Sequence, residues 1–394
     1  MVNETSSGVL AGVSVAGRSG HWDIAYDAGR ITALRPAQTG GGGFVMPLLA
    51  DIHTHLDKTM TAARMPRRAQ SLFDAIEMMG QDAARWTDDD LRARATQALD
   101  KAHRHGTALM RSHVDWPTAD TPRGWHVLRE LAQDWRGRVD LQLSSLTALD
   151  DLLRIGVDVA PALRHDGGVL GAFVYRNANQ AADISTLFDL AESHDLHLDF
   201  HVDEGLDADA RGIDAIIDQT AKRGMGGRVL CGHGCALSVR DPAEVETLLT
   251  RAADAGIGLT VLPGANSYLQ DARTGRTPRL RGLAPLQEAD AAGVPVMLGS
   301  DNVRDAFFPY GDYDLIDVLR MGVLMGHLPP DNWLDAISAR PAAWMGTTLD
   351  IRVDGPASFI HFDATDLNDV ISRATATRRV WRDGAVLPPF QGDL

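Results

Sequence analysis

Two histidines stand at the end of an apolar run near the start of the chain. The segment reads Met46-Pro-Leu-Leu-Ala-Asp-Ile-His-Thr-His-Leu-Asp-Lys58, so a single residue separates His53 from His55. Because alternate residues of a strand point to the same side, both imidazoles can face one point at the strand's end. Neutral imidazole nitrogen is a favoured ligand of zinc, iron and similar divalent ions. The spacing therefore predicts part of a metal site that needs further ligands from elsewhere in the chain.

Further polar side chains stand at the ends of three later apolar runs. His201 ends one of these runs, and Glu204 follows it; His233 ends the next run and Asp301 ends the last. Three histidines and an aspartate, together with water, form a reasonable shell for one catalytic Zn²⁺ or Fe²⁺. Each residue alone has an ordinary structural explanation, such as a hydrogen-bonded core histidine or a helix N-cap aspartate. Their joint occurrence at strand ends favours one divalent metal ion as a cofactor.

Such a centre would carry out hydrolytic chemistry. A bound metal ion lowers the pKa of its water towards neutrality and so makes hydroxide available. Glu204 lies close enough to His201 in the sequence to carry a proton between this water and a ring nitrogen of a substrate. Asp301 can serve as ligand and general base together, and His233 could polarise the water or hold a developing oxyanion. The set predicts attack of metal-bound hydroxide at an amidine-like ring carbon, followed by loss of ammonia or an amine.

The elements that would position these residues alternate along most of the chain. Short apolar runs, each followed by a helix-like stretch, predict these eight strands: Phe44–His53, Thr107–His113, Val139–Leu146, Val169–Val174, His197–Val202, Arg228–His233, Gly256–Leu262 and Val294–Ser300. Near-continuous apolar strands that alternate with helices indicate a parallel sheet covered by helices. For a chain of 394 residues, we expect closure into an α/β fold of the (β/α)8 barrel type. In such barrels catalytic groups come from the carboxyl ends of the strands.

The two ends of the chain have a different pattern, in which short alternating segments are separated by turn residues. The segments are Ser7–Pro36, Ala357–Phe362, Val370–Thr375 and Arg378–Trp381, and the last of them precedes a hairpin turn signal at Asp383-Gly384. These strands would pair into a small β-sandwich beside the barrel. The predicted division gives residues 1–45 and 346–394 to the sandwich and residues 46–345 to the catalytic barrel.

The overall composition argues against several classes of partner. The chain has 38 basic and 53 acidic residues, which gives a formal net charge of −15. A surface this negative repels nucleic-acid phosphates and anionic lipid, so we expect neither nucleic acid nor a membrane as partner. No signal-peptide pattern and no apolar stretch of membrane-spanning length is present. The 2 cysteines are too few for a disulfide framework, so the expected location is the cytoplasm.

Several short motifs carry a resemblance to a known family. They are His53-Thr-His-Leu-Asp57, Arg111-Ser-His-Val-Asp115, His201-Val-Asp-Glu204, Gly232-His233, and Gly299-Ser-Asp-Asn-Val-Arg-Asp305 followed by Pro309-Tyr-Gly311. In these motifs the chain resembles the amidohydrolase superfamily, in the branch of cytosine deaminase and N-isopropylammelide isopropylaminohydrolase. The resemblance implies four ligands of one metal ion: His53, His55, His201 and Asp301. It also implies that Glu204 is a proton shuttle and His233 a catalytic histidine.

The chain departs from the family pattern in ways that bear on metal count and substrate. The fourth barrel strand, Gly171-Ala-Phe-Val-Tyr-Arg176, has no lysine of the kind that bridges two metals in binuclear relatives, which favours one metal. Asn302 stands where cytosine deaminase has an aspartate, and no glutamine follows the third strand, whereas Glu204 matches the deaminase pattern. We interpret this combination as deaminase machinery with an altered substrate-reading pocket.

Candidate substrate contacts lie in the loops after the last strands. They are Asn302, Gln270, Tyr268 and Phe307. The sequence leaves two roles for Lys58: it stabilises the loop or contacts the substrate. His113 could either pack in the core or border the pocket.

The first hypothesis for function is a metal-dependent aminohydrolase that deaminates a small amino-substituted N-heterocycle, such as a cytosine-like pyrimidine or a triazine. The alternative is cleavage of another C–N bond, with release of an alkylamine or opening of a cyclic amide. A barrel that binds a small molecule or metal without turnover is a third hypothesis. Assembly into a homo-oligomer is compatible with the resemblance.

Overall fold

The computed structural model of the protein describes residues 7–388. Within that range the strands are β1 (Gly8–Val15), β2 (His21–Asp27), β3 (Arg30–Pro36), β4 (Phe44–Met46), β5 (Leu49–Thr54), β6 (Thr107–Asp115), β7 (Asp140–Ala148), β8 (Leu170–Val174), β9 (Leu198–Val202), β10 (Val229–His233), β11 (Gly258–Val261), β12 (Val296–Leu298), β13 (Phe359–Phe362), β14 (Arg378–Arg382) and β15 (Ala385–Val386). The α-helices are α1 (Leu72–Ala83), α2 (Asp88–His105), α3 (Arg123–Asp134), α4 (Leu149–Asp166), α5 (Gln180–Ser193), α6 (Gly212–Arg223), α7 (Pro242–Ala255), α8 (Pro263–Leu269), α9 (Leu286–Ala292), α10 (Leu315–Gly326), α11 (Pro330–Trp333), α12 (Ala339–Trp344) and α13 (Leu367–Ser372). Short 3₁₀ turns lie at Ala62–Arg64, Cys235–Val239 and Leu334–Ile337.

Strands β5 to β12 form a parallel eight-stranded sheet in which each strand pairs with its neighbour in the chain. The two edges of this sheet meet. The backbone N–H of Asp301 donates to the carbonyl of His53 at 2.8 Å, and Oγ1 of Thr54 donates to the carbonyl of Asp301 at 2.8 Å. The segment after β12 therefore closes against β5, and the predicted (β/α)8 barrel is confirmed.

The helices bury one apolar face against the barrel strands. On α4 the buried positions recur at helical spacing, so they form one stripe: Leu152, Ile155, Val159 and Leu163. Gly256 and Gly293 end α7 and α9 with φ of 73° and 93°, the left-handed conformation that glycine adopts without steric cost. Within the described range, no helix combines the length and apolar content that crossing a membrane requires.

Strands from both ends of the described range form a second, seven-stranded sheet in the order β15-β14-β13-β4-β1-β2-β3. This sheet has its own apolar core, in which the rings of Tyr26 on β2 and Trp381 on β14 are 5.2 Å apart. The predicted hairpin turn is confirmed, because Asp383 and Gly384 have φ of 46° and 79° between β14 and β15. Residues 1–6 and 389–394 of the predicted terminal segments lie outside the described residues.

Two predicted strands need correction. The run Phe44–His53 is not one strand: β4 pairs in the terminal sheet and β5 in the barrel. Pro47 lies between them, and proline has no N–H to donate to a continuous ladder. The run Val370–Thr375 is not a strand, because α13 covers its first part. The Asp366 side chain caps this helix by accepting from the Asp369 N–H at 2.8 Å.

A buried carboxylate also ties the two meeting edges of the barrel. Asp51 on β5 accepts from the Ser300 N–H at 3.1 Å and from Ser300 Oγ at 2.5 Å. Replacing Ser300 by alanine should lower the free energy of unfolding by about 2 kcal/mol, because a hydroxyl bond to a buried charge is lost. Thermal unfolding of the metal-loaded protein measures this. Ser144→Ala is a control, since the Ser144 hydroxyl donates to the neighbouring Ser145 carbonyl at 3.2 Å and not to a carboxylate. An equal effect of the two substitutions would mean that the Asp51 contact does not stabilise the closure.

Candidate active site

Four buried side chains meet at the carboxyl-terminal mouth of the barrel. His53 lies on β5 with His55 just after it, His201 lies on β9, and Asp301 follows β12. Nε2 of His201 is 3.1 Å from Nε2 of His53 and 3.2 Å from Nε2 of His55. Oδ1 of Asp301 is 3.2 Å from Nε2 of His55 and 3.6 Å from Nε2 of His53. The structure thus brings the four predicted metal ligands around one point.

This donor set fits a single divalent metal ion. Donor atoms placed about 2.1 Å from a tetrahedral zinc are about 3.4 Å apart, which is close to the observed separations. Among the described residues, neither carboxylate oxygen of Asp301 has a hydrogen-bond partner, although the residue is only 1% exposed. Ionising a buried carboxyl group that has no partner is costly, and a cation between the four donors would remove that cost.

The protonation states of these groups agree with this fit. Burial lowers the pKa of His53, His55 and His201 well below the usual range of imidazole, so all three rings are neutral and can bind metal. Burial also raises the pKa of Asp301 to about 8, and the nearby Asp305 carboxylate adds to this rise. The four donors themselves therefore carry no positive charge, which a metal ion would supply.

Glu204 and His233 lie beside this centre. His233 ends β10 with φ of 71°, a strained backbone conformation of the kind that clusters at active sites. Its Nδ1 is 2.9 Å from Nδ2 of Asn266 and 3.5 Å from Oε1 of Glu204. Because the Asn266 amide donates to Nδ1, the proton of the ring is on Nε2, which has no partner among the described residues. Burial lowers the pKa of His233 to about 3, so the ring is neutral and presents an N–H donor.

The Glu204 carboxyl group is buried and lines the same cavity. Burial raises its pKa well above the usual range, and the carboxylate of Asp301 raises it further. A carboxyl group that holds its proton near neutral pH is suited to act as acid and base in turn. Gln270 supports this residue by donating to the Glu204 backbone carbonyl at 2.8 Å.

His113 lies beneath the ligand rings inside the barrel. Its ring is 4.2 Å from that of His53 and 4.6 Å from that of His201, and its Nε2 is 3.7 Å from Oδ2 of Asp199. Asp199 is already paired with Arg111 at 2.7 Å. The guanidinium supplies the positive charge there, so these residues form a poorer cation site than the four-donor centre does.

A cavity of about 620 Å³ opens onto the centre and is bordered by His55, His201, Glu204 and His233. Two of the predicted substrate contacts, Asn302 and Phe307, also border it. Tyr268 and Gln270 lie outside its lining: the Tyr268 ring packs 5.6 Å from the Phe308 ring, and Gln270 holds the Glu204 backbone. Substrate contact by Tyr268 or Gln270 therefore has no support in their placement.

Two further residues lie beside the catalytic groups: the sequence left the role of Lys58 open and gave no role to Asn266. Lys58 is buried and borders the cavity, with its Nζ 2.6 Å from Oδ1 of Asp115. Asn266 orients His233, as described above. The only signal for Lys58 was its position just after the His-x-His motif, and for Asn266 its position after a barrel strand.

The amide of Asn302 makes one contact that an aspartate could not make. Its Nδ2 donates to Oδ2 of Asp305 at 2.6 Å, while Oδ1 of Asp305 accepts from the Phe307 N–H at 2.9 Å. Replacing Asn302 by aspartate should lower the free energy of unfolding by about 2–4 kcal/mol, because two buried carboxylates would then face each other. Thermal unfolding measures the loss. The double variant Asn302→Asp/Asp305→Asn restores one amide and one carboxylate and should recover most of it; no recovery would contradict this reading of the pair.

The fold and the donor cluster together define a class. A parallel barrel with histidines and an aspartate gathered at the carboxyl ends of its strands is a metal-dependent barrel hydrolase. A family model described as "Amidohydrolase family" matches residues 119–388. The chain belongs to this amidohydrolase family and is a hydrolase of carbon–nitrogen bonds.

Individual relatives are similar over nearly the whole chain. The pterin deaminase of Rhizobium rhizogenes (strain K84) is 34% identical over 381 residues, which is 93% of this chain and 87% of the relative. The crystal structure of 5-methylcytosine deaminase from Klebsiella pneumoniae superposes with a TM-score of 0.86 at 22% identity and covers 98% of each chain. That of N-isopropylammelide isopropylaminohydrolase from Burkholderia multivorans gives a TM-score of 0.80 at 24% identity and covers 97% of this chain and 98% of the other.

Proposed function

We propose that the protein is an aminohydrolase that replaces the exocyclic amino group of an N-heterocycle by oxygen, with a pterin-like bicyclic ring as substrate. One observation carries the proposal: Glu204 and His233 border the same cavity as His55 and His201 of the four-donor cluster. One divalent metal ion held by His53, His55, His201 and Asp301 would lower the pKa of a water molecule and so supply the nucleophile near neutral pH.

Three side chains take part in proton transfer or hydrogen bonding during the reaction: Glu204, His233 and Asp301. The Glu204 carboxyl group gives a proton to the ring nitrogen next to the carbon that is attacked. The Nε2–H of His233 donates a hydrogen bond to the oxygen that becomes bonded to this carbon. Oδ2 of Asp301 receives a proton from the attacking water in this proposal, and its lack of a hydrogen-bond partner in the described part of the chain supports the role.

The atoms balance as a hydrolysis. A C–O bond forms at the ring carbon that carries the amino group, and the C–N bond breaks in the resulting tetrahedral intermediate. The amino group takes up the proton that Asp301 received and leaves as ammonia. The hydroxyl group of the intermediate loses its proton to Glu204, and the water oxygen stays on the ring. No oxidant or other co-reactant is needed.

Two points favour a bicyclic ring over a single pyrimidine or triazine ring. The relative with 34% identity is named a pterin deaminase. In addition, a cavity of about 620 Å³ falls in the range of about 300–1,000 Å³ that is typical of sites for drug-sized ligands. A cytosine or triazine ring alone would leave much of this space to water.

Ammonia release from metal-loaded protein tests the proposal. We expect the highest kcat/KM with pterin and lower values with cytosine. Release of isopropylamine from N-isopropylammelide, without ammonia from either ring, would instead favour cleavage of an alkylated C–N bond. If no amine is released from any of the three compounds, the proposed reaction is wrong.

A further inference from the structure

The cavity has two chemically different halves. Its inner half is polar and contains the groups described above. Its outer half is bordered by the first helix of the barrel, on which the lining residues recur at helical spacing and so share one face: Leu72, Ile76, Met79, Gly80 and Ala83. We call the space along this face the outer chamber.

Other walls of the outer chamber are also apolar. Trp86 follows α1, while Trp116 and Pro117 follow β6, and all three border the cavity. Ile76 is 40% exposed even though it is apolar, because it faces this open space. An exposed apolar surface that continues directly from a catalytic centre marks a ligand-binding wall.

The charged side chains at the rim of the cavity are already paired with residues of opposite charge, so they do not favour binding of a charged ligand. Arg123 borders the cavity, but its guanidinium is 2.7 Å from Oδ1 of Asp88. Asp151 also borders the cavity and is paired with Arg154. Both signs of charge are therefore already matched, and the chamber suits a neutral group.

Gly80 leaves a gap in the α1 wall. It lies in the interior of the helix, where glycine is less favourable than any other residue except proline. A Cβ atom added there would meet no atom within 4 Å, so packing does not require glycine at this position. The gap widens the outer chamber at the point where a larger side chain would narrow it.

We propose that the outer chamber binds a neutral, hydrocarbon-rich substituent carried by the substrate ring, and that Gly80 determines how large this substituent can be. The proposal rests on the proposed function for the position of the ring, since the reacting carbon must lie beside Glu204. The substituent then extends from the ring edge opposite the amino group along the α1 face. Gly80 is a specificity-determining residue in this account and takes no part in the reaction.

The test compares pterin with 6-phenylpterin and 7-phenylpterin on metal-loaded protein. We expect one of the phenyl compounds to have a kcat/KM about 10-fold or more above that of pterin, because burial of a phenyl group is worth at least this factor. Gly80→Leu should remove the advantage by lowering the kcat/KM of the phenyl compound about 10-fold or more. Gln81→Leu is the matched control, since Gln81 is exposed on the same helix and outside the cavity lining. Leucine favours helix more than glycine does, so Gly80→Leu should unfold at the same temperature as the wild type or higher.

Calorimetric titration of the same compounds separates this proposal from the proposed function. Suppose that no pterin is deaminated, that a phenyl compound binds about 10-fold tighter than pterin, and that Gly80→Leu abolishes this difference in affinity. The proposed function is then wrong, and the outer-chamber proposal is supported. If pterins are deaminated but the phenyl compounds have no advantage, or Gly80→Leu leaves the advantage intact, the outer-chamber proposal is overturned. Failure of all three compounds to bind overturns it as well.

Discussion

Replacement of Glu204 by glutamine is expected to lower kcat for deamination by about 10²–10⁴-fold while the protein keeps its full metal content. Glutamine has nearly the same shape as glutamate but cannot release and take back a proton. The residue lies 3.5 Å from His233 and does not belong to the four-donor cluster, so metal binding should survive. Steady-state ammonia release gives kcat, and elemental analysis gives the metal content.

The control for this experiment is Glu77→Gln, because Glu77 is an exposed glutamate on α1 outside the cavity lining. It should have the activity of the wild type. Unchanged turnover in Glu204→Gln would remove Glu204 from the proton transfers. Loss of metal from the same variant would place it among the ligands instead.

Replacement of His55 by alanine should weaken metal binding by about 100-fold or more and abolish activity. Nε2 of His55 is 3.2 Å from both His201 Nε2 and Asp301 Oδ1, so its loss removes one donor from the shell. Substitutions in the groups that merely orient ligands cost about 10–100-fold in metal affinity, and loss of a ligand should cost at least as much. Competition with a chelator measures the affinity.

A matched control is His165→Ala, because the His165 side chain is 82% exposed and its ring contacts the neighbouring Asp166, far from the donor cluster in the sequence. This variant should bind metal as the wild type does. If His55→Ala retains stoichiometric metal with unchanged affinity, His55 is not a ligand, and the interpretation of the cluster needs a different donor.

Sequence reasoning located the barrel and the donor cluster because both depend on local patterns. The apolar runs around His201 and His233 appear in the structure as β9 and β10 within a residue of their predicted starts. Parallel strands of a barrel end at the same edge, so residues at strand ends could be expected to meet even though they are far apart in sequence. That rule, together with residue type, is sufficient to bring His53 and Asp301 together.

The errors at the strand level come from information that a local pattern does not contain. Pro47 marks a break within Phe44–His53, but it does not show that β4 pairs in the terminal sheet and β5 in the barrel, which only the pairing partners reveal. In Val370–Thr375 the β-branched residues favour a strand, but the capping contact of Asp366 and burial of Val370 stabilise a short helix. Tertiary context decides both cases.

The residues that form the cavity walls could not be predicted either, because tertiary contacts also decide which residues these are. Lys58 is buried because Asp115, which lies on another strand, pairs with its ammonium group. The outer chamber exists because α1 packs over the barrel mouth against Leu269 at the end of α8 and Phe307 in the loop after β12. Nothing in the helical pattern of α1 indicates which partner its apolar face will meet.

A crystal structure of the metal-loaded protein, with data collected at the absorption edge of its metal, would test the central interpretation most directly. We predict one anomalous peak about 2.0–2.3 Å from Nε2 of His53, Nε2 of His55, Nε2 of His201 and the Asp301 carboxylate, with the Glu204 carboxyl group beside it. A peak between His113 and Asp199, or no peak among the four donors in protein that contains stoichiometric metal, would contradict it.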